Sequence, residues 1–340
     1  MKRWLAVGML LPVLGGCYYY QAAEGQMQIW NRSRPIKQVI DDATTPLAVK
    51  ERLELVVRVR DFASTQLDLP DNGSYRKYAD LQRPYVVWNV FAASEFSIAP
   101  QEWCFPFAGC VGYRGYFNQA GAEQFAEGLR RKGLDVFVAG IPAYSTLGWF
   151  DDPVLNTMVR YPDAEIARTI FHELAHQVCY VGGDTMFNES FATAVEQEGV
   201  DRWLGQNGNA TQRAAYDAYE DRKNGFIELV MKYRAELGRV YALPIPDEEK
   251  RRKKVETFAA LKAEYQTIKA SWGGYSGYDR FFSDDLNNAH LVPVATYSEL
   301  VPGFRHLLAE NGGDFHRFYE AVKKLGKLPE EKRHAILKAG

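Results

Sequence analysis

The segment Phe171-His172-Glu173-Leu174-Ala175-His176 is the part of this chain from which its structure can best be argued. Residues 163–178 around it have the apolar spacing of a helix. Positions four apart lie on the same face of a helix, so the two imidazoles can reach one metal ion together. Neutral imidazole is a good zinc ligand, and the Glu173 carboxylate can accept a proton from a water molecule bound to the metal. The segment therefore predicts a helix that carries two zinc ligands and a general base.

A third ligand is needed to hold the ion, and Glu189 in Asn188-Glu189-Ser190-Phe191 is the candidate. It follows His176 by thirteen positions, and the turn signal Gly182-Gly183-Asp184 between them lets a second helix, residues 188–204, return alongside the first. Three protein ligands would leave the fourth position of one Zn²⁺ per chain open for water. Two histidines on an exposed or otherwise satisfied helix face are the alternative, and the apolar flanks and this carboxylate argue against it.

Other polar residues of the second helix have more than one possible role. Glu196 and Glu198 are rival carboxylate ligands, and Glu196, two turns beyond Glu189, could instead hold a ligand histidine through a hydrogen bond. Asn188 could support the site in the same way, or it could cap the helix. The sequence alone leaves these assignments open.

A hydrogen-bond donor for a developing oxyanion is expected in the polar, aromatic region 273–297. Such side chains are more often structural than catalytic, so they are candidates only. The candidates in this region are Tyr278, His290 and Tyr297.

Helix signals dominate the sequence, and strand signals are confined to its middle. β-Branched and aromatic residues at 85–90 and 135–139 predict a small sheet. The sequence therefore predicts a mainly helical α+β fold, with residues 17–340 as a single domain whose part from about residue 205 is helical. Helical patterns are found in residues 22–69, 118–132, 163–178, 188–204 and 250–270, and in the last forty residues.

The N-terminus has the pattern of a targeting segment. Lys2 and Arg3 precede the apolar run Trp4 to Val13, which is too short to span a bilayer. The following Leu14-Gly15-Gly16-Cys17 resembles the bacterial lipoprotein box, and this resemblance implies that residues 1–16 are a signal peptide and that Cys17 is lipidated. A plain secretory signal is the alternative, and both predict export. Tyr at position 18 favours anchoring in the outer membrane, facing the periplasm, in a Gram-negative cell envelope.

Export places the other cysteines in an oxidising compartment. Cys104 and Cys110 flank Pro106 and Gly109, which allow a sharp turn, so a disulfide is the favoured interpretation. Free thiols, or a zinc-thiolate site that includes Cys179, are the alternatives. Cys179 itself is predicted to be a buried free thiol.

The charge of the chain bears on its partners. A formal net charge of -2 and a pI near 6.3 provide no general basic field, so nucleic acid is not expected as a partner. The expected partners are a peptide substrate and, through the lipid anchor, a membrane. The sequence does not indicate an oligomeric state.

The motif and its surroundings resemble the gluzincin metallopeptidases and, more closely, a bacterial family of predicted aminopeptidases that are exported lipoproteins. The pairing of His172-Glu173-Leu174-Ala175-His176-Gln177 with Asn188-Glu189-Ser190-Phe191-Ala192 carries the gluzincin part. The motifs shared with the smaller family are Trp103-Cys104-Phe105-Pro106, Tyr113-Arg114-Gly115-Tyr116-Phe117, Gly148-Trp149-Phe150-Asp151-Asp152-Pro153 and Asn287-Asn288-Ala289.

This resemblance implies a zincin core, with zinc as cofactor and peptide hydrolysis as the reaction. The expected mechanism is attack by a zinc-activated water molecule with Glu173 as general base. The gap between the histidine pair and Glu189 is shorter than in the gluzincin aminopeptidases, and their Gly-x-Met-Glu-Asn stretch, which binds the substrate amine, is not found. An aminopeptidase is therefore the first expectation. A zinc endopeptidase or peptidoglycan-peptide hydrolase and a non-catalytic envelope-binding lipoprotein are the alternatives.

Overall fold

A computed structural model describes residues 13–105, 109–143, 145–283 and 285–339, with the backbone alone at 13–17 and 296–298. Helices account for 61% of the described residues and the strands form small sheets, so the predicted mainly helical α+β fold is confirmed. Most of the predicted signal peptide lies outside the described residues. Within the part of the chain that is described, no helix is both long enough and apolar enough to cross a membrane.

The elements follow one another in a chain of long helices interrupted by short strands. The helices are α1 (Val13–Arg32), α2 (Ile36–Asp41), α3 (Leu47–Gln66), α4 (Gln119–Arg130), α5 (Asp163–Val178), α6 (Thr185–Asn207), α7 (Ala210–Ala242), α8 (Asp247–Ser271), α9 (Asn288–Ser298), α10 (Val301–Glu310), α11 (Phe315–Gly326) and α12 (Glu330–Ala339). The strands are β1 (Ser33–Pro35), β2 (Lys77–Ala79), β3 (Val87–Ala93), β4 (Trp103–Phe105), β5 (Gly109–Val111), β6 (Arg114–Tyr116), β7 (Asp135–Ile141) and β8 (Val154–Leu155).

The central sheet has the order β6-β3-β7 with antiparallel pairing. All seven residues of β3 are buried, because the strand is paired on both edges and α4 and α9 pack against it. Both predicted strands are confirmed, and β3 is displaced by two residues from the predicted 85–90. A second sheet of order β1-β2-β8 is made of very short strands.

Helices α5 and α6 pack side by side in the middle of the molecule. α5 begins and ends where the sequence predicted, and Asp163 and Glu165 in its first turn favour its positive N-terminal end. α6 is buried over the whole run from Phe187 to Glu196, so it shows almost no amphipathic pattern. The close approach of the two helices depends on Gly199, where a Cβ atom would lie 2.7 Å from the Phe171 ring.

The apolar core has two main parts. The larger part joins α5 and α6 to α3, α10 and α11, and includes the stacked aromatic rings of Phe191, Phe304 and Phe318. The second part joins α7, α8 and residues 282–291. From residue 210 onward the elements of the described chain are helices, with irregular structure between α8 and α9.

The cysteine pair closes a small hairpin. Cys104 in β4 and Cys110 in β5 are directly opposite each other and form a disulfide bond. The alternatives of free thiols and of a zinc-thiolate site are therefore wrong for this pair. Cys179 is a half-buried free thiol whose pKa is raised by burial.

Candidate metal centre

Helix α5 presents both predicted histidine ligands on one face. The side of the helix opposite the histidines is buried in the core through Ile166, Ile170 and Leu174. Packing therefore fixes the rotation of the helix about its axis. The Nε2 atoms of His172 and His176 lie 3.2 Å apart. The spacing of four residues therefore does what the sequence predicted and brings both imidazoles to one point.

Helix α6 brings the predicted third ligand to the same point. Oε2 of Glu189 lies 3.2 Å from Nε2 of His172 and 3.6 Å from Nε2 of His176. The three ligand atoms all lie within 4.8 Å of one another, and the group could hold a metal ion. His172, His176 and Glu189 are called the ligand cluster below.

The spacing in the ligand cluster fits a tetrahedral zinc ion. Zinc–nitrogen bonds of about 2.0–2.1 Å place ligand atoms of a tetrahedral site about 3.3 Å apart, close to the observed 3.2, 3.2 and 3.6 Å. The ionised carboxylate of Glu196 can only accept a hydrogen bond, so Nδ1 of His172 donates to it and Nε2 faces the other two ligand atoms. Two imidazole nitrogens and a carboxylate oxygen that face one another in this way could hold a metal ion.

The charge balance of the ligand cluster leads to the same conclusion. Burial disfavours a charged imidazole, but the hydrogen bonds to Glu189 and Glu196 outweigh it and raise the pKa of His172 to about 10. Burial also opposes the ionised form of Glu189, yet His176 and His172 hold its pKa well below the usual range. The surroundings therefore stabilise a positive charge at the position where the ligand atoms converge.

Glu196 supports the ligand cluster from behind. Its Oε2 lies 2.8 Å from Nδ1 of His172 and 3.2 Å from Nη1 of Arg168, and Lys223 is 3.6 Å away. Burial opposes ionisation, but Arg168 and the other partners lower the pKa of Glu196 to about 2. Of its two predicted roles, the structure places Glu196 in the one that holds a ligand histidine. The rival Glu198 instead pairs with Arg202 at 2.8 Å.

The predicted general base lies at the wall of a large cleft. Glu173 and His172 line a cavity of about 1040 Å³ between α5, α6, α7 and α10. Burial raises the pKa of Glu173, while His172 and His176 act against this shift. A carboxylate with a raised pKa next to a metal site is suited to accept and return a proton.

The far wall of this cleft is acidic. α7 contributes Asp217, Glu220, Asp221 and Glu228 to the lining, and carboxylates outnumber the cations Arg168, Lys223 and Arg305. Glu220 is paired with Lys223 at 3.1 Å. The wall therefore favours a positively charged group of a bound molecule.

The predicted oxyanion donors are not brought to the ligand cluster as a group. The ring of Tyr278 stacks on Phe226 with centroids 4.2 Å apart. His290 is buried, stacks on Phe137 at 4.1 Å and accepts from the backbone of Asn287, and burial lowers its pKa to about 4. These contacts give both residues structural roles. The side chain of Tyr297 lies outside the described residues.

Two other tyrosines lie beside the ligand cluster, and neither was predicted. Tyr180 follows the end of α5, in the connection to α6, and its ring centroid lies 6.3 Å from that of His176. Tyr113 follows the disulfide hairpin. Burial raises the pKa values of both hydroxyls, and the negative charge of Glu189 adds to the shift. Helix spacing could not have identified Tyr180, because the chain leaves α5 at Val178, and Tyr113 arrives from a distant part of the chain.

The turn between α5 and α6 is built differently from the prediction. α6 begins at Thr185 and is capped by Asp184, whose side chain accepts from the Phe187 amide, so a cap at Asn188 is wrong. Asn188 instead accepts from the amide of Val181 and donates to its carbonyl, both at 2.8 Å. The earlier start arises because Asp184 offers a cap four residues before Asn188. Asn188 therefore fastens the turn directly before Glu189.

The disulfide hairpin packs against the same turn. Gly109 has φ +75°, and a Cβ atom there would lie 2.6 Å from the amide nitrogen of Gly183. Gly183 itself has φ +86°, a conformation that favours glycine. The hairpin and the turn can therefore approach at backbone distance, and the turn is held from two sides.

Comparison with known proteins identifies a family but no individual relative. Neither the curated proteins nor the solved structures contain a match to this chain. A family model described as "Putative aminopeptidase" matches residues 17–337, which is nearly the whole chain. This family implies a peptidase. The chain therefore belongs to the "Putative aminopeptidase" family.

Proposed function

We propose that the protein is a zinc-dependent aminopeptidase with a gluzincin-like core, in which His172, His176 and Glu189 bind the metal and Glu173 is the general base. One observation carries the proposal: the separations within the ligand cluster match the edges of a tetrahedral zinc site. The family implies a peptidase, and the zinc mechanism is the simplest chemistry that these residues can perform.

The chain's own residues have distinct tasks in this mechanism. Bound zinc would lower the pKa of a water molecule and polarise the scissile carbonyl. Glu173 accepts the proton of that water and later delivers it to the leaving amine. Glu196 keeps Nε2 of His172 unprotonated by accepting the proton of Nδ1. The hydroxyls of Tyr113 and Tyr180 remain protonated and can donate to the carbonyl oxygen as negative charge develops on it.

The acidic wall of the cleft supports cleavage from the amino end. A free α-amine is positively charged at neutral pH, and α7 offers carboxylates on the Glu173 side of the ligand cluster. These carboxylates would replace the amine-binding stretch of the gluzincin aminopeptidases, which this sequence lacks. An endopeptidase does not bind the free α-amine of its substrate, so an acidic wall would not contribute to substrate binding in such an enzyme.

We also propose that the protein is an exported bacterial lipoprotein, anchored at Cys17 and facing the periplasm. The lipoprotein-box resemblance carries this part. The disulfide bond between Cys104 and Cys110 supports it, because such bonds persist in oxidising compartments.

The test uses the soluble form that starts after Cys17, as wild type and as Glu173→Gln. Zinc content and hydrolysis of a mixed peptide library are measured for both. We expect one zinc per chain in both proteins, with cleavage by the wild type alone and new ends that show removal of N-terminal residues. Cleavage that persists after N-acetylation would indicate an endopeptidase. A chain that binds no zinc even after supplementation would contradict the proposal.

A further inference from the structure

A second, smaller cavity lies beside the ligand cluster and is called the arginine pocket below. Its volume is about 230 Å³, and its walls come from β3, α6, α7, α9 and the segment after the disulfide hairpin. The residues used in the argument are Phe91, Tyr113, Met186, Arg234 and Val292. The pocket is smaller than the ~300–1,000 Å³ that hold drug-sized ligands, so it has room for the end of a short peptide.

The ligand cluster lies between this pocket and the large cleft. Met186 lines the arginine pocket and is three positions before Glu189 on α6, which places both on one helix face less than a turn apart. Thr193, one turn after Glu189, lines the large cleft. A molecule at the ligand cluster can therefore extend into the acidic cleft on one side and into the arginine pocket on the other.

Arg234 brings an unsatisfied donor to this pocket. One of its terminal nitrogens donates to the carbonyl of Ile98 at 3.3 Å. Its Nε–H is buried and has no acceptor among the described residues. Burial lowers the pKa of Arg234, and Glu299, the acid that opposes this shift, is itself held by Lys338 at 2.7 Å. Arg234 is half-buried and lines the pocket, so a bound molecule that supplies an acceptor could satisfy this buried Nε–H.

Two other arginines show why this donor is distinctive. Arg114 and Arg222 also bury an Nε–H without an acceptor. Their guanidinium groups lie over aromatic rings, 4.6 Å from the centroid of Phe125 and 4.4 Å from that of Tyr275. Arg234 has no such ring within the part of the chain that the structure describes.

The acidic residues of the pocket do not satisfy Arg234. Asp184 already accepts from Arg333 at 2.6 Å and from His334 at 2.8 Å, so its charge is balanced. Asp184, Glu330 and His334 lie close enough together to hold a metal ion, but Arg333 already pairs with the Asp184 carboxylate. Glu102 and Glu330 are exposed.

We propose that Arg234 binds the C-terminal carboxylate of a short peptide substrate, so that the enzyme acts on di- and tripeptides. The assignment rests on the proposed peptidase function. The amine of such a peptide lies on the acidic side of the ligand cluster and its carboxylate on the arginine side. The guanidinium group is suited to this task, because it donates in parallel to both oxygens of a carboxylate.

The first test compares trialanine with its C-terminal amide as substrates of the wild type, Arg234→Gln and Arg234→Lys. For the wild type we expect a kcat/KM about tenfold or more higher for the free acid, mainly through KM. Arg234→Gln should lose this preference and cleave the free acid and the amide with similar kcat/KM. Arg234→Lys keeps the positive charge but cannot donate in parallel to both carboxylate oxygens, so it should retain part of the preference. It replaces the glutamine variant if that variant fails to fold.

Arg222→Gln is the matched control, because Arg222 is also on α7 and also buries an Nε–H, but it does not line the pocket. The ratio of kcat/KM for the free acid to kcat/KM for the amide should be the same in Arg222→Gln as in the wild type. Equal cleavage of both substrates by the wild type would overturn the assignment. A preference that survives in Arg234→Gln would do the same.

A binding measurement separates this proposal from the peptidase proposal. Calorimetry with N-acetylalanine and N-acetylalaninamide requires no catalysis, and we expect Arg234-dependent binding of the acid alone. Such binding in a protein that hydrolyses no peptide would support the carboxylate site while the peptidase proposal fails. Displacement of N-acetylalanine by inorganic phosphate at equal or lower concentration would identify a site for free anions and overturn the assignment to a peptide end.

Discussion

At the scale of single residues, Glu196 is the residue that most directly supports the ligand cluster. It is 2% exposed and accepts from His172 while it neutralises Arg168 and Lys223. Glu196→Gln should lower zinc affinity by about 10–100-fold, because the amide holds His172 less well. It should also destabilise the fold by about 1.5–3 kcal/mol, because a hydrogen bond to the charged Arg168 is weakened and only Glu165 still pairs with that arginine. Chelator competition and thermal unfolding measure the two effects.

Glu198→Gln is the control for this substitution. Glu198 is two residues further along α6, and its ion pair with Arg202 is partly exposed. Its loss should lower stability by no more than about 1 kcal/mol and leave zinc affinity unchanged. If both variants bound zinc like the wild type, Glu196 would have no role in holding His172.

Asp152 predicts a pH dependence of stability. It is 3% exposed, and burial raises its pKa from 3.8 to about 6, although hydrogen bonds from Thr146 oppose this shift. As pH rises from about 4 to 6, the unfolded chain releases this proton before the folded chain does, so stability falls. The loss is on the order of 3 kcal/mol above pH 6.

Asp152→Asn should remove this loss, because an amide stays neutral and can still accept from Thr146. We expect the variant to have a higher Tm than the wild type at pH 7.5 and a similar Tm at pH 4. The neighbouring Asp151 is exposed, so Asp151→Asn should change the Tm little at either pH. A Tm difference for Asp152→Asn that is the same at both pH values would show that Asp152 is not the titrating group.

The candidate site shows which residues a sequence can reveal. The histidine pair and Glu189 could be predicted because helix periodicity and a turn signal fix their relative positions over a short stretch. Tyr113 and Arg234 could not, because they reach the site through the packing of distant elements. The role of Glu196 became clear only when its partners Arg168 and Lys223 were placed.

At the scale of elements, the turn between α5 and α6 determines where Glu189 is held. Asn188→Ala removes two hydrogen bonds to Val181 and leaves the Val181 amide without its acceptor, while the Val181 carbonyl still accepts from the Asp184 amide. We expect a loss of about 2–3 kcal/mol in unfolding free energy and weaker zinc binding, because Glu189 is the next residue. Denaturant unfolding of the zinc-free and zinc-bound forms separates the two effects.

Asn311→Ala provides a comparison, since Asn311 donates a single side-chain hydrogen bond to Leu307 near the end of α10. It should lose about 1 kcal/mol and bind zinc normally. A similar loss for both variants, with zinc affinity unchanged, would mean that the turn does not position Glu189.

Helices were predicted better than strands for a physical reason. α5 combines a complete apolar pattern with acidic residues at its start, and its bounds match the prediction. α6 begins three residues early because Asp184 caps it. β2 is three residues long and exists through pairing with β1 and with the distant β8, so its local sequence contains little strand signal.

At the scale of the whole molecule, the two cavities suggest why the ligand cluster lies on buried α6. The helix passes between an acidic cleft and the arginine pocket, and Glu189 lies between the residues that line them. A peptide with both ends free carries a positive and a negative charge at its two termini. Opposite charges on the two sides of the cluster would therefore orient a short substrate before any side chain is recognised.

The proposed lipid anchor at Cys17 and the exposed aromatic residues of α1 predict how the molecule would lie on a membrane. Tyr20 and Met27 share a face of α1 and are 70% and 55% exposed, and Trp149 is 71% exposed. Trp30 packs edge-on against Phe150 at 4.8 Å, which joins α1 to the loop that contains Trp149. Tyrosine and tryptophan favour the membrane interface, and anchoring is stable when a lipid acts together with a second contact. The aromatic surface along α1 is therefore expected to contact the bilayer together with the proposed lipid at Cys17.

The form that starts after Cys17 should consequently float with neutral lipid vesicles even without its lipid, and Trp30→Ser combined with Trp149→Ser should reduce this binding. Tyr161→Ser combined with Leu243→Ser removes side chains of 38% and 41% exposure that lie elsewhere in the sequence, and should leave binding unchanged. A Cβ atom added at Gly148, next to Trp149, would lie 3.5 Å from the side chain of Gln177 near the end of α5. Vesicles should therefore also slow exchange of the α5 backbone around Gln177 in the wild type and not in the Trp30/Trp149 variant. If all variants floated equally, the aromatic surface would not contribute to membrane binding, and the proposed lipid alone would explain anchoring.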